Sequence, residues 1–376
     1  MPDPILDPVN VVTYKEIWDK VIEDNFFLDT PLHAYIRDHC LASFAGGAFM
    51  QNNFIYRPMI GGAYARGDNF NITKRQTLSA TVFDPKYYEV SVPEYLEEIE
   101  VLNKGGLAVA SLVEIDLKNA MNTLNALLAV AESLHGQASG GGVVGNRPKH
   151  INGWIEAVNN GIDPGWDGSI FTAYGTQLRN GAVGSALNGN IFWCGDAAGN
   201  AGQITYTKLE EFYQTCSIGS EEPDLIVGNK AVYAYMKERL EARQRFAQEV
   251  DPYWGVRSFR FNSAMVLKDD YFPSEKYGVN DPDLGNWLTG SFTTPASPTA
   301  ASNLPATTAV DVAEVLAFFN TKKILLRVAD SREFGFGFSG FLRAQDNTRV
   351  VGQEKAALNL QFLSCRLHGQ LYGING

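Results

Sequence analysis

The strongest hydrophobic pattern in the chain lies between residues 107 and 135, where apolar side chains recur at i, i+3, i+4 and i+7. The members of this stripe are Val113, Leu117, Ala120, Leu124, Leu127, Leu128, Ala131 and Leu134. The spacing predicts one long helix, which at ~1.5 Å per residue would extend about 40 Å. His135 would lie in its last turn, and Gly136 would end it in a left-handed conformation. A helix of this length would form a spine for the surrounding structure.

Alternation of apolar and polar residues predicts strands between residues 53 and 101. The alternation is clearest at Phe70 and Ile72 and again at Val90 and Val92, and the turn sequence Asp84-Pro85-Lys86 lies between the two runs. We therefore expect a long hairpin that turns at Asp84-Pro85 and has a polar, projecting tip. An ordinary hairpin inside a compact sheet would show the same periodicity.

Weaker patterns predict the remaining elements. Residues 225–227 predict a strand that leads through Asn229, as an N-cap, into an amphipathic helix up to residue 246. Residues 256–273 predict a pair of strands and residues 322–344 a β-rich block, whereas the spacing over 358–365 fits both a strand and a helix. Residues 286–308 are rich in Pro, Ser, Thr and Ala and predict a loop without a core of its own.

The first 45 residues follow none of these patterns. Pro2, Pro4 and Pro8 precede a stretch with only short helical periodicity, which predicts an arm with one or two short helices. A proline-rich terminus stays ordered only where something ties it down, so such an arm would lie on a neighbouring surface, for example that of another copy.

Charge and composition narrow the function. The chain has 31 Lys and Arg against 42 Asp and Glu, a net charge of −11, which argues against a surface made for nucleic acid. Charged residues are only 19% of the chain, while it contains 36 Gly and 12% aromatic residues, so we expect a surface that contacts other protein. No signal sequence is visible, and no apolar run reaches the ~18 residues of a membrane span, which predicts a soluble, non-secreted chain.

The sequence contains no catalytic, metal or cofactor motif. Gly140-Gly141-Gly142 lacks the pattern of a phosphate loop, and residues 335–340 match GxGxxG without a following helix or a ribose-binding acid. Asp281 opens a calcium-loop-like stretch, but its twelfth position is Phe292 instead of Glu. The four cysteines form no CxxC pair and are expected to be free thiols in a reducing compartment. The five histidines are expected at the surface or at helix caps; they are His33, His39, His135, His150 and His368.

The order of these elements resembles the major capsid proteins of tailed bacteriophages, which have the α+β Hong-Kong-97-type capsid fold. The resemblance covers nearly the whole chain in pattern and order, without a sharp sequence signature. It is carried by the hairpin stretch 67–83, the run 92–129 that leads into the long helix, the modules 221–246 and 255–273, and the late segment 341–353.

The resemblance implies a division of the chain and a non-enzymatic function. The expected parts are an N-terminal arm (1–45), an extended β-hairpin or E-loop (46–104), a peripheral domain with the spine helix (105–150), an axial domain (151–320) and strands that return to the peripheral domain (321–376). The chain would assemble with itself into pentamers and hexamers of an icosahedral shell, built in the host cytoplasm. That shell would enclose double-stranded DNA in the virion without sequence-specific binding.

Further partners follow from the same resemblance. Scaffolding, portal and decoration proteins are expected, whereas a membrane, a metal and a cofactor are not. The amino-terminal scaffolding segment of some members is expected to be absent here, because the arm begins almost at residue 1. Two alternatives stay open: an encapsulin-like shell around a protein cargo, which has the same fold, and a soluble enzyme with an unrecognised site.

Four residues of the hairpin are candidates for charge pairs between subunits: Arg66, Asp68, Lys74 and Arg75. Solvated residues of an ordinary strand would have the same composition. Some members of the family also form covalent Lys–Asn links, for which Lys74 or Lys86 and Asn347 are loosely spaced candidates.

Overall fold

A computed structural model describes ten segments of the chain: residues 30–97, 112–137, 148–166, 168–181, 183–195, 201–241, 249–250, 257–273, 314–343 and 348–375. The helices in these segments are α1 (Pro31–His39), α2 (Leu112–Ser133), α3 (Trp154–Ala157), α4 (Tyr206–Thr215) and α5 (Lys230–Glu241). The strands are β1 (Leu41–Phe44), β2 (Met50–Ile55), β3 (Leu78–Phe83), β4 (Lys86–Tyr95), β5 (Ala173–Tyr174), β6 (Gln177–Leu178), β7 (Asn190–Trp193), β8 (Gly202–Gln203), β9 (Leu225–Gly228), β10 (Glu249–Val250), β11 (Arg257–Phe261), β12 (Ala264–Lys268), β13 (Glu314–Phe319), β14 (Ile324–Ala329), β15 (Gly335–Phe338), β16 (Leu342–Arg343), β17 (Arg349–Phe362) and β18 (Gly369–Asn375).

One half of the fold is a six-stranded sheet covered by the long helix. Its strand order is β1-β14-β17-β15, and β4 and β16 also pair with β17. Helix α2 packs on β4 and β17 and buries much of its apolar stripe, including Ala120, Leu124 and Leu128. The spine helix is therefore confirmed. Its 22 residues extend about 33 Å, and residues 107–111, which the pattern included, lie outside the described residues.

The predicted end of the helix is wrong. Helix α2 stops at Ser133, so His135 lies beyond it, and Gly136 is not in the left-handed conformation. A Cβ atom on Gly136 would come within 2.6 Å of the Ile151 carbonyl oxygen and even closer to that of His150. Glycine is required here because two backbone segments touch, and not because the helix needs a left-handed cap.

The predicted hairpin turns at a different place. Strand β3 pairs antiparallel with β2, from Met50↔Phe83 to Ile55↔Leu78, and not with β4 across the Asp84-Pro85 turn. Strand β4 pairs instead with β17 along all ten of its residues, from Lys86↔Leu358 to Tyr95↔Arg349. Strand β4 pairs with β17 and not with β3 because α2 covers the apolar face of β4 and β17 together. The closed end of the hairpin is therefore residues 56–77.

The other half of the fold is an eight-stranded sheet with a core on each face. Its order is β10-β11-β12-β9-β13-β18-β7, with β8 on β18. Central strand β13 is buried at all six positions, with Val315, Ala317 and Phe319 in one core and Leu316 and Phe318 in the other. A strand covered on both faces has a continuous hydrophobic sequence, as this one does. Helices α4 and α5 cover the second core.

Three local predictions in these sheets are confirmed. The side-chain oxygen of Asn229 accepts hydrogen bonds from the amides of Ala231 and Val232 at the start of α5, as an N-cap does. Strands β11 and β12 form the predicted antiparallel pair. Residues 358–362 belong to a strand, β17, which resolves the ambiguity of their spacing.

The described part of the predicted arm is integrated into the sheets. Residues Leu32, His33 and Ile36 of α1 are buried, and β1 pairs parallel with β14 from Leu41↔Leu326 to Phe44↔Ala329. Residues 1–29 lie outside the described residues, as do residues 286–308. The tail contributes to both sheets, with β14–β17 in the six-stranded sheet and β18 in the eight-stranded sheet.

Candidate inter-subunit interface

The ribbon formed by β2 and β3 stands on a buried base. Met50 and Phe83, which pair at one end of the ribbon, are 6% and 3% exposed, and the Phe83 ring packs edge-on against Tyr174 at 5.1 Å between centroids. The Val82 amide donates to the Gly175 carbonyl oxygen at 2.9 Å, and Gly175 leaves no room for a Cβ beside Thr81 and Phe83. These contacts fix the direction in which the ribbon leaves the molecule.

A polar triangle fastens the same base to the six-stranded sheet. The Asn52 side-chain amide donates to Gln361 Oε1 at 2.9 Å, and Arg327 Nε donates to the same oxygen at 2.8 Å. Arg327 Nη2 also donates to Asn52 Oδ1 at 3.2 Å. Because Arg327 carries a guanidinium, its two bonds are stronger than bonds between neutral groups. The sequence offers no signal for this triangle, since its members lie on β2, β14 and β17, far apart in the chain.

The tip of the ribbon, residues 56–77, is exposed and unusually apolar for an exposed segment. Met59 is 72% exposed, Tyr64 68%, Phe70 67% and Ile72 92%. Tyr64 and Phe70 pack against each other with centroids 4.9 Å apart. Large apolar side chains clustered in one exposed segment mark an interaction site rather than ordinary surface.

The four predicted charge-pair residues all lie in this tip. Asp68 Oδ2 accepts a hydrogen bond from the Ala65 amide at 2.6 Å and closes a local turn through Gly67, whose φ is +99°. Among the described residues, Arg66, Lys74 and Arg75 take part in no ion pair. In one copy the four residues thus lie in the same exposed segment, and the described residues provide no ion-pair partner for the basic ones, so their pairing stays a prediction.

The lysine–asparagine candidates are not brought together by the described residues. Lys86 Nζ donates to the Pro148 carbonyl oxygen at 2.9 Å, Lys74 lies at the tip, and Asn347 falls outside the described residues. The calcium-like stretch and Gly140–Gly142 also fall outside them. Residues 335–338 form strand β15, as expected for glycines between aromatic residues.

The expectation of surface histidines is wrong for three of the five. His33, His135 and His368 are each at most 2% exposed. His33 Nδ1 lies 2.9 Å from Glu132 Oε1, and this buried pair joins α1 to α2. Burial lowers the pKa of His368 to about 3, so it is neutral and packs as an aromatic ring against Phe319 and Phe362.

Other buried polar groups also hold the fold together. Glu156 is completely buried and accepts hydrogen bonds from the Gly136 amide at 2.5 Å, the Gln137 amide at 3.0 Å and the Asn152 side chain at 2.7 Å. Burial raises the pKa of this carboxyl, although the hydrogen bonds oppose the shift. Arg179, 3% exposed, donates to the carbonyl oxygens of Glu156 and Leu187. Most of the partners of these two side chains are backbone groups, which is typical of polar residues with a structural role.

The described residues contain no cluster of metal-ligating side chains. No group of three or more His, Cys, Asp or Glu residues there could hold a metal ion, and no helix there is long and apolar enough to cross a membrane. All four cysteines are free and buried; they are Cys40, Cys194, Cys216 and Cys365. An open cleft of about 490 Å³ lies beside β1.

The spine helix on a six-stranded sheet, the second sheet with two cores and the projecting ribbon together define the Hong-Kong-97-type fold of capsid shell proteins. The asymmetric unit of the cyanophage A-1(L) capsid has this fold, with a TM-score of 0.61 over 99% of both chains at 12% identity. The capsid of an empty GTA particle matches over 100% of both chains with a TM-score of 0.57 at 9% identity. The SrpI encapsulin of Synechococcus elongatus PCC 7942 matches over 98% of this chain and 96% of its own, with a TM-score of 0.55 at 9% identity. No protein-family profile and no curated protein sequence matches the chain.

Proposed function

We propose that this chain is the major capsid protein of a tailed bacteriophage. The observation that carries the proposal is the end-to-end agreement with capsid structures, in which 99% of this chain and 99% of the cyanophage A-1(L) chain superpose. The exposed apolar tip of the ribbon supports it, because such a surface is stable in a soluble shell only when another subunit covers it.

In this proposal the chain has no enzymatic activity and no cofactor, and its partners are further copies of itself. Pentamers and hexamers form an icosahedral shell around double-stranded DNA, with scaffolding, portal and decoration proteins as additional partners. The arm (1–45) and E-loop (46–104) connect subunits, while the peripheral parts (105–150 and 321–376) and the axial domain (151–320) form the shell wall. A net charge of −11 per chain disfavours tight binding to DNA phosphates, which suits a shell that has to release its DNA.

The candidate charge pairs have their place in the same assembly. Arg66, Lys74 and Arg75 bind acidic groups of a neighbouring subunit, and Asp68 shapes the turn that presents them. These pairs orient the approach of two subunits, whereas the apolar side chains of the tip supply the buried area.

Electron microscopy of the purified protein, together with sedimentation, tests this proposal. Uniform closed particles are the expected result. A discrete small oligomer that never assembles, even with neighbouring gene products present, would contradict the shell function and favour the enzyme alternative. A variant in which Asn-Gly replaces residues 57–76 should keep its circular dichroism spectrum and melting temperature but fail to close shells. Normal shells from that variant would refute the role of the tip.

An encapsulin-like compartment is the second candidate function, because the SrpI encapsulin structure matches with a similar score. The two candidates differ in their contents. Particles purified from the native source should show nuclease-protected double-stranded DNA in the first case and a stoichiometric cargo protein in the second. The ratio of absorbance at 260 and 280 nm and mass spectrometry of the contents separate them.

A further inference from the structure

Residues 70–76 have the pattern of a strand but no strand partner within the described residues; the next residue, Thr77, accepts a hydrogen bond from the Tyr56 amide and so belongs to the ribbon. Phe70 and Ile72 lie on alternate positions and are 67% and 92% exposed. Near the centre of this run the Thr73 amide donates to Asn71 Oδ1 at 3.1 Å, and this bond is exposed to solvent. When a strand-forming sequence stays unpaired in its own subunit, the local preference and the observed structure disagree, which is typical of functional segments.

Strand β1 has a free edge. The carbonyl oxygen of Cys40 accepts a hydrogen bond from the Leu326 amide in β14, and that of Phe44 accepts one from the Asp330 amide directly after β14, each at 2.8 Å. Because successive residues of a strand direct their backbone groups to opposite sides, those of Leu41 and Ser43 point away from β14. No strand among the described residues pairs with that side. A free edge of this kind is a template for a strand from another chain.

A cleft of about 490 Å³ adjoins the free edge. Leu41, Val328 and Phe336 supply its apolar lining, and its charged residues are Arg37, Asp38 and Asp330. Phe336 has a φ of +60°, which is rare for so bulky a residue, and the chain holds it there between two glycines. The cleft therefore combines an apolar lining with carboxylates next to unpaired backbone.

We infer that residues 70–76 of one copy add as a strand to the free edge of β1 in a second copy. This inference rests on the proposed shell function and specifies how two subunits join. Alternate side chains enter the cleft, with Ile72 on Leu41 and Phe336, as in other cases of strand addition. Charge favours this occupant, since residues 56–77 contain four basic residues and one acidic residue, while the cleft has two carboxylates, Asp38 and Asp330, and one cation. Lys74 shares a face with Ile72, and its neighbour Arg75 adds positive charge beside it.

The ribbon explains why the partner is a second copy. Six residues of β3 separate the buried base at Phe83 from the tip, which corresponds to about 20 Å at ~3.3 Å per residue. The base is fastened to β14 and β17 by Asn52, Arg327 and Gln361, so the tip is the end of the ribbon that lies farthest from these contacts.

Cysteine cross-linking tests the inference. Protein with Ser43→Cys is mixed with protein carrying one cysteine at each position from 70 to 75 in turn, assembled into particles and oxidised with diamide. The four native cysteines are buried and do not compete. Paired residues of adjacent strands place their Cα atoms within the ~4.4–6.8 Å that a disulfide needs. We expect covalent dimers on a non-reducing gel from one or two of these positions, at least tenfold above the control.

The matched control is Ser43→Cys mixed with Leu178→Cys, which is 60% exposed and lies outside both surfaces. Particles that form normally while none of positions 70–75 cross-links above this control would overturn the inference and leave the shell function intact. Failure of the unmodified protein to form particles at all would refute the shell function itself, and with it the inference.

A charge exchange gives an independent measurement on the same contact. The double variant Lys74→Glu and Arg75→Glu should assemble at least tenfold more slowly than the unmodified protein. Adding Asp38→Lys and Asp330→Lys to the same chain should restore most of the rate, because the attraction is rebuilt with the signs reversed. If the combined variant assembles as slowly as the first one, Asp38 and Asp330 are not the partners and the proposed docking place is wrong.

Discussion

Asp269 makes the attachment of α1 sensitive to pH. Its carboxylate is 2% exposed and accepts hydrogen bonds from the Leu32 amide of α1 at 2.9 Å and from the Tyr271 amide at 2.8 Å. Burial, with smaller effects from Asp270 and Glu132, raises the pKa of Asp269 to about 7. Because folding raises the pKa, the carboxyl of Asp269 loses its proton at a lower pH in the unfolded chain than in the folded chain. Raising the pH through this range therefore stabilises the unfolded chain relative to the folded one. Stability should therefore fall by roughly 2 kcal/mol between pH 5 and pH 7 and level off above pH 7.

Urea unfolding of the unassembled subunit at several pH values measures this effect. Asp269→Asn should lose this pH dependence and be less stable at pH 5. The asparagine side chain has a single carbonyl oxygen, so it can accept only one of the two backbone hydrogen bonds. His33, Glu132 and Asp270 lie near the site and are the same in both proteins, so the difference between the two pH profiles isolates Asp269. Asp330→Asn at the surface is the control. Equal pH profiles for the unmodified protein and Asp269→Asn would show that Asp269 is ionised throughout.

Gly136 should tolerate no side chain. A methyl group there would collide with the carbonyl oxygens of His150 and Ile151, which belong to the backbone and cannot rotate away. We expect Gly136→Ala to reduce the free energy of unfolding by about 1–3 kcal/mol or more. Gly62→Ala is the matched control, since nothing lies within 4 Å of a Cβ at that position. Similar urea midpoints for both variants would contradict the close approach.

At the scale of single residues, the sequence can indicate that a residue has a structural role, but it does not give the contacts that explain the role. Gly136 is correctly singled out after the helical stripe, but its function depends on His150 and Ile151, whose backbone approaches only in the folded chain. His33 gives no sign of burial, because its partner Glu132 is 99 residues away on another helix. Tertiary contacts decide such cases, and a single sequence does not contain them.

At the scale of elements, the ribbon depends on a polar anchor. Arg327→Met keeps the length of the side chain but removes its bonds to Asn52 and Gln361. We expect backbone amides of β2 and β3 to exchange hydrogen at least tenfold faster, while amides of β9 and β13 stay protected. The control is Lys323→Met, whose pair with Glu221 is exposed and worth at most about 1 kcal/mol. Unchanged exchange in the ribbon would show that apolar packing at Met50 and Phe83 suffices to hold it.

Elements with a local signal are predictable, and pairings between distant segments are not. The stripe of α2 and the cap at Asn229 need only neighbours in the chain, and both are confirmed. Strands β2, β3 and β4 all alternate, so periodicity cannot say which two pair. The answer depends on β17, more than 250 residues beyond β4 in sequence, and on the helix that covers it. The misplaced turn at Asp84-Pro85 follows from that missing contact.

For the whole molecule, the uneven distribution of charge should govern assembly. The tip carries four basic residues and one acidic residue on a chain with a net charge of −11, so the approach of two copies brings opposite charges together. Added salt screens that attraction, because the Debye length falls from about 10 Å at 0.1 M to roughly 3 Å at 1 M. We expect the rate of assembly, measured by light scattering, to fall at least fivefold between 0.05 and 0.5 M NaCl.

A variant without the basic groups of the tip separates this effect from a general response to salt. Replacing Arg66, Lys74 and Arg75 by Gln should slow assembly at low salt and leave little dependence on salt, because the steering charges are gone. The control replaces three basic residues elsewhere by Gln: Arg239, Lys322 and Arg366. It changes the net charge equally and should keep the salt dependence of the unmodified protein. If both triple variants respond to salt alike, net charge sets the rate, and the tip joins its neighbour through apolar contacts alone.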